Sequence, residues 1–244
     1  MHRSLLSVLC LIFASSPVVA ACVDPSTLAH STVSISRHFD DKELEVTGGL
    51  LGVRGTGWFL SPTSIVTVEH VATAMKLSEQ DWKQVEVGNE DNKQTTSARI
   101  LRFASGSGTE RIAVLELQTA FVGARGFQPR MEPFLPDEPV VSLAYPHSQL
   151  RVAGGRFVQY GDGERLAGTA LLELYDGNDR LVLDHGASGA PVLDCAGRVV
   201  AVVSHLVTTT ILLMSSKIRT STAWGSANVV SVPISLLKNL VHVE

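Results

Sequence analysis

Neither a C-x-x-C pair nor an H-E-x-x-H stretch occurs in this sequence of 244 residues. The strongest local signatures of a zinc site are therefore missing, and no metal and no cofactor are expected. Basic charge is not in excess either. Twenty Lys and Arg face 24 Asp and Glu, a formal net charge of −4, which supplies no field for nucleic acid. Long apolar runs are lacking beyond the first twenty or so residues, so no transmembrane segment is expected in the rest of the chain. Strands do not alternate with helices, which argues against a parallel α/β sheet. Cysteine is scarce, with Cys10, Cys22 and Cys195 alone. What the chain does have is 45% hydrophobic residues, ample for a core.

The first residues, MHRSLLSVLCLIFASSPVVAA, combine a basic start at Arg3, an apolar stretch over 5–13 and a small-residue exit at Val18-Val19-Ala20. That is the layout of a secretory signal peptide over 1–21. The apolar stretch is shorter than the roughly 20 residues needed to span a bilayer. The expected location is secreted or periplasmic, in a bacterium. Val19-Ala20-Ala21-Cys22 also resembles a lipobox, so a lipid anchor at Cys22, giving a membrane-anchored lipoprotein, stands as the alternative. Signal removal takes Cys10 and leaves an even pair in an oxidising compartment. A disulfide Cys22–Cys195 is then one outcome and two unpaired thiols the other. A lipidated Cys22 would exclude the bridge.

The remaining chain is long enough for one large β domain or two small lobes. Short β-rich runs at 57–60, 65–68, 98–103, 112–117, 140–144, 156–160, 171–175, 181–183, 198–204 and 229–232 are divided by Gly, Asp, Asn, Ser and Pro. This punctuation predicts an all-β barrel or sandwich. Helix is expected only as a turn after His70 and in the tail, 234–241. The Ser/Thr-rich segment 208–222 reads as a loop. A passage marked by Pro and Gly, 126–139, reads as a linker between an N-terminal lobe, 22–130, and a C-terminal lobe, 131–244.

Two segments carry chemistry. In D-H-G-A-S-G-A-P-V-L-D-C-A-G, 184–197, Ser188 sits among residues with almost no side chain. Glycine and alanine are used where backbone must approach something closely. In G-T-G-W-F-L-S-P-T-S-I-V-T-V-E-H-V-A, 55–72, a strand ends at Val68 and His70 follows on a short helical turn. Histidine titrates near neutral pH and can act as a general base. A serine hydroxyl is a poor nucleophile until such a base takes its proton. Alone, each residue fits a structural role; together they form a pair.

G-T-G-W-F-L-S ahead of I-V-T-V-E-H-V resembles the histidine segment of chymotrypsin-fold (trypsin-like) serine proteases, particularly the bacterial Deg-type enzymes. G-A-S-G-A-P-V is similar to their serine segment, G-x-S-G-x-P. Val202-Val203-Ser204 resembles the strand that borders the substrate. V-V-S-L-A-Y-P-H, 140–147, looks like the opening of a second barrel, and 227–240 like a last strand and terminal helix. The resemblance covers about 50–240. It implies two antiparallel β-barrels with the active site in the cleft between them, His70 from the first and Ser188 from the second. It implies an oxyanion hole from the N–H groups of Gly186 and Ser188, and substrate contacts at Ser204 and His205. An α/β-hydrolase elbow would need G-x-S-x-G leading into a helix, whereas Ala190 and Pro191 lead into a hairpin. Ala187 rules out activation by a salt bridge from a new N-terminus to that position. Val182 and Leu183 offer no charge to a basic side chain, so an apolar residue is expected ahead of the cut. Deg-type enzymes carry a peptide-binding domain after the protease domain; here the chain ends at Glu244.

The third triad member departs from the pattern. The resemblance places an aspartate before the triplet Ile112-Ala113-Val114, where this sequence has Arg111. Glu110 lies one step further back and would face the other side of a regular strand, unless a bulge shifts the register. Arg111 is expected to face the imidazole of His70. Two readings follow. One is a serine endopeptidase acting through His70 and Ser188, with Glu110 as acid and an acyl-enzyme intermediate on protein or peptide substrates. The other is an impaired relative that uses the cleft to bind peptides or partner proteins.

Overall fold

Extended segments rich in Val, Ile, Leu and Thr, each stopped by a turn residue, close into two barrels. The coordinates are a computed structural model that describes residues 22–105, 111–178, 183, 185–206, 210–214, 217–221 and 226–236. The first barrel contains β1 (Thr32–His38), β2 (Gly52–Ser61), β3 (Ser64–Val68), β4 (Lys83–Gly88), β5 (Lys93–Ser105) and β6 (Arg111–Leu117). Its strands close in the order β1-β2-β3-β6-β5-β4, every pair antiparallel. The second contains β7 (Pro139–Ala144), β8 (Arg151–Tyr160), β9 (Ala170–Tyr175), β10 (Pro191–Leu193), β11 (Val199–Leu206) and a last strand, Val229–Pro233. It closes in the order β10-β11-last-β9-β8-β7. Closure removes the exposed edges that an open sheet would leave.

The barrels are filled by side chains. Trp58, Phe59, Ile65, Ile112 and Leu115 are fully buried in the first, and Leu171, Leu172, Leu174 and Leu193 in the second. Val141, Leu143, Val202 and Val232 of the second barrel belong to the same apolar cluster as the first barrel's core. The two barrels thus pack through a shared hydrophobic layer, and apolar burial of this kind is the main favourable term in folding.

Helix is confined to short pieces. Among these are α1 (Asp41–Val46), closed by a capping box between Asp40 and Glu43, and α2 (Glu69–Ala74), which leaves β3 directly. The passage between the barrels is pinned rather than loose. Phe127 N–H donates to the Phe59 carbonyl, Arg130 N–H to the Val199 carbonyl of β11, and Val199 N–H to the Gln128 carbonyl. Cys22 and Cys195 form a disulfide, and Val23 N–H donates to the Cys195 carbonyl at 3.0 Å. The start of the described chain is therefore tied to the turn after β10. Among the described residues no helix is long and apolar enough to cross a membrane.

Several sequence expectations change. Residues 208–222 do not form only a loop, since Thr210–Met214 pairs with Lys217–Ser221 as a β-hairpin. The strand expected at 181–183 has residues 181 and 182 outside the described residues, and Leu183 is not in a strand. The expected terminal helix begins as a 3-10 turn, Ile234–Leu236, and its remainder lies outside the described residues. The signal segment 1–21 lies outside them too. Strands β1 and β4 have no counterpart in the sequence reading, because they carry Ser, Arg, Lys and Glu between their apolar residues, whereas the hairpin expected after Pro191 is β10 with β11.

Candidate active site

Ser188 lies in a tight loop that leads into β10 at Pro191. Ala187 and Ala190 are buried on either side, and Ser188 is half-buried. Two glycines are required there. Gly189 has φ +92°, and a Cβ on it would lie 2.0 Å from the Thr56 carbonyl oxygen and 2.2 Å from Thr67 Oγ1. Gly186 has φ +100°, and a Cβ would meet the Tyr145 carbonyl at 3.1 Å. L side chains rarely adopt such backbone. The bare segment noted in the sequence is thus explained by close approach of the loop to the first barrel.

Thr56, on β2, fastens that approach. Its backbone N–H donates to the Ser188 carbonyl at 2.9 Å, and its hydroxyl donates to the Gly186 carbonyl at 2.6 Å. The same hydroxyl oxygen accepts from Tyr145 N–H at 2.9 Å. Its carbonyl accepts from Thr67 Oγ1 at 2.7 Å. With both loop carbonyls turned toward the first barrel, no acceptor among the described residues stands opposite the N–H groups of Gly186 and Ser188. Two such amides on one loop can hold a negatively charged oxygen.

His70 is the second residue of α2 and is exposed. It follows Thr67, the residue against which Gly189 packs, by three positions. The serine loop and the histidine turn are therefore built on the same pair of strands, β2 and β3. The Ser188 hydroxyl donates to the Ser204 carbonyl at 2.9 Å, across the hairpin to β11. Ser204 is buried, and its hydroxyl lies 3.2 Å from Nδ1 of the exposed His205. The β11 register shifts between Val203 and His205, so the strand bulges beside the serine.

Glu110 lies outside the described residues. Arg111 begins β6, where Val68 pairs with Ile112. Its guanidinium is gripped by both carboxylate oxygens of Glu69, with Nε 2.6 Å from Oε2, and it lies over the Phe103 ring, 4.6 Å from the centroid. The position that the resemblance assigns to an aspartate is thus half of an ion pair with the residue just before His70. Leu183 is buried, and Val182 lies outside the described residues. Two functional features escaped the sequence reading. Thr56 stands between two glycines, a visible oddity, but its hydroxyl partners, Tyr145 and Gly186, are 89 and 130 positions away. The Glu69–Arg111 pair follows from the β3–β6 register, which the sequence does not print. Among the described residues no cluster of His, Cys, Asp and Glu could hold a metal ion.

The sequence model for the trypsin-like peptidase domain matches residues 55–202, a stretch that includes His70 and Ser188. The chain belongs to the trypsin-like peptidase family. As a whole, this trypsin-like peptidase superposes on solved protease structures. The active form of the Rv3671c protease from M. tuberculosis is 18% identical with a TM-score of 0.56, over 94% of this chain and 91% of that one. A serine endoprotease from Yersinia pestis is 14% identical with a TM-score of 0.54, over 85% of this chain and 60% of that one. The HtrA-type protease AlgW, solved with a tripeptide, is 14% identical with a TM-score of 0.53, over 85% of this chain and 57% of that one. At these identities the superpositions establish the chymotrypsin-type double barrel. No curated protein matches the sequence.

Proposed function

We propose that the chain is a serine endopeptidase in which Ser188 attacks the carbonyl carbon of a peptide bond. His70 takes the hydroxyl proton as the Oγ–C bond forms, and the carbonyl oxygen becomes an oxyanion held by the N–H groups of Gly186 and Ser188. His70 then gives the proton to the departing amine as the C–N bond breaks. Water, activated by the same ring, hydrolyses the acyl-enzyme and restores Ser188. Glu110 is assigned as the acid that orients His70. The backbone beside Ser204 and His205 is assigned to the acyl half of the substrate. The observation that carries this reading is the loop 186–189, whose Gly186 and Ser188 carbonyls are fixed by Thr56 and whose Gly186 and Ser188 N–H groups make no hydrogen bond among the described residues. In the resting geometry the Ser188 hydroxyl donates to the Ser204 carbonyl, a bond given up when the proton passes to His70.

We further propose a secreted or periplasmic location after removal of 1–21. The disulfide uses the Cys22 sulfur, the atom that a lipid thioether would need, so the bridged protein is the form without a lipid anchor.

A second reading is favoured by one observation, the pairing of Arg111 with Glu69 where an acid is expected. It is a protease-fold protein that binds peptides without cutting them. Labelling with a fluorophosphonate separates the two. The endopeptidase reading expects stoichiometric labelling that Ser188→Ala abolishes. A folded wild type that stays unlabelled would favour the binder.

A further inference from the structure

Beside the serine loop lies a cleft of about 410 Å³ between the barrels. Ser36, His38 and Arg54 of the first barrel form one side of it, and His147, His185 and Gly186 of the second form the other. Ser36 pairs with Arg54 and His38 with Gly52 in the β1–β2 ladder. In an antiparallel pair, residues directly opposite and two apart share a face, so Ser36, His38 and Arg54 present one surface. Across from them the turn after β7 holds His147 and Ser148 at φ 52° and 62°. Two consecutive left-handed residues without glycine cost energy, and such strain persists where surrounding structure fixes it. His147 is thereby held in place at the cleft.

The charged side chains that line the cleft among the described residues are basic. None of the described residues that line the cleft is an aspartate or glutamate. Arg37, also on its wall, is already committed to Glu43 and to the Met75 carbonyl. Glu86, opposite Ser36 in the neighbouring ladder, is matched by Lys93 at 2.8 Å. Arg54 is exposed and makes no ion pair among the described residues. Its guanidinium presents a planar fork that suits a carboxylate.

We propose that this cleft binds a carboxylate on the leaving-group side of the scissile bond, with Arg54 as the specificity-determining residue. The inference rests on the serine peptidase reading for its direction. Gly186 is shared between the cleft and the assigned oxyanion site, whereas Ser204 and His205 do not line it. The acyl half is assigned to the Ser204 side, so the amine half enters the cleft. The carboxylate comes from an acidic side chain shortly after the cut or from a nearby free C-terminus.

The test is binding without turnover. The full chain carrying Ser188→Ala is titrated with alanine-glutamate-alanine amide, alanine-glutamine-alanine amide and alanine-glutamine-alanine with a free C-terminus, while the arginine side-chain N–H resonances are followed by NMR. A carboxylate peptide is expected to bind about five- to tenfold tighter than the neutral one and to shift the Arg54 signal. Preference for the glutamate amide identifies the side chain, and preference for the free terminus identifies the terminus. Arg54→Gln should abolish the preference and Arg54→Lys keep part of it. Equal affinities, no binding, or a preference that survives Arg54→Gln overturns the proposal. Fluorophosphonate labelling of the wild type judges the peptidase reading separately. A labelled enzyme without carboxylate preference loses the cleft alone, and an unlabelled protein with the preference loses the catalysis alone.

Discussion

Thr56 shows how much of a site can hang on one hydroxyl. It donates to the Gly186 carbonyl and accepts from Tyr145 N–H, and it is fully buried. Thr56→Val keeps the shape but leaves both partners unpaired, which costs about 1–3 kcal/mol for each buried group. The loop then loses the bond that turns its carbonyl away from the substrate. A misplacement of about 1 Å can cost on the order of 10²-fold in rate. Ester turnover should therefore fall in kcat more than in KM, and Thr56→Ser should restore most of it. Steady-state kinetics of both variants check this, and an unchanged kcat in Thr56→Val would remove Thr56 from the positioning of the loop. The acid is tested at the same scale. With Glu110 in that role, Glu110→Gln should lower ester turnover by about 10⁴-fold. Arg111→Asp should not raise it, because that change also leaves Glu69 without its partner. A rate increase in Arg111→Asp would instead place the missing acid at position 111.

At the scale of elements, the passage between the barrels is held by a buried charge cluster. Arg130 pairs with Glu138 and, at 3.2 Å, with Asp194, and Asp194 also accepts from Arg198 at 2.8 Å. Burial alone would push both carboxyls up. The Arg130 guanidinium brings Glu138 below its ordinary value, and the Arg198 backbone N–H and guanidinium do the same for Asp194. A depressed folded-state pKa gives stability that is present above the unfolded value and is lost as pH falls through the folded one. The melting temperature should thus drop as pH goes below about 4, where the unfolded carboxyls protonate. Removing one partner of a buried pair costs about 3–5 kcal/mol, so Arg130→Met should be strongly destabilised at pH 7. Its deficit should narrow on acidification, because the unpaired Glu138 would then be neutral. Thermal melts of both proteins from pH 7 to 3 measure the two slopes, and parallel slopes would mean that Arg130 does not set the ionisation of Glu138. None of this cluster was legible in the sequence, where 126–139 read only as a linker. The hairpin of β2 and β3 was legible, since β-branched and aromatic runs flank a Pro-Thr turn. So were β6 and β11, whose stretches 112–115 and 199–203 are unbroken apolar runs buried on both faces. α1 has only the capping spacing of Asp40 and Glu43 as a signal, with no buried apolar stripe beside it. The Ser188 and His70 segments were legible because their chemistry is local. Thr56, Glu69 with Arg111, and the Arg130 cluster depend on which strands become neighbours.

At the scale of the whole molecule, a covalent link ties the start of the described chain to the turn after β10. Cys22 and Cys195 are 173 positions apart, and the intervening chain contains the first barrel and much of the second. A cross-link over so long a loop restricts the unfolded chain, and on the loop-entropy account it contributes about 5 kcal/mol. The native contacts around it are modest by comparison, chiefly the Val23 hydrogen bond to Cys195 and the approach of Leu28 to Gly197. On that account the stabilisation lies mostly in the unfolded state. The double variant Cys22→Ser with Cys195→Ser is expected to keep the barrels and the serine loop, because neither the Thr56 contacts nor the shared core involves these cysteines. Its melting temperature should fall by about 10 °C or more, given that a protein of this size loses roughly 2–4 °C per kcal/mol. Calorimetry of the double variant and of the reduced wild type should agree, since both lack the same constraint. Labelling of Ser188 at 25 °C should proceed at the wild-type rate in both. A variant that melts with the wild type would show that the link adds no net constraint. One that melts lower and also loses labelling would show instead that the tie between the N-terminal segment and the β10 turn shapes the serine loop in the folded protein.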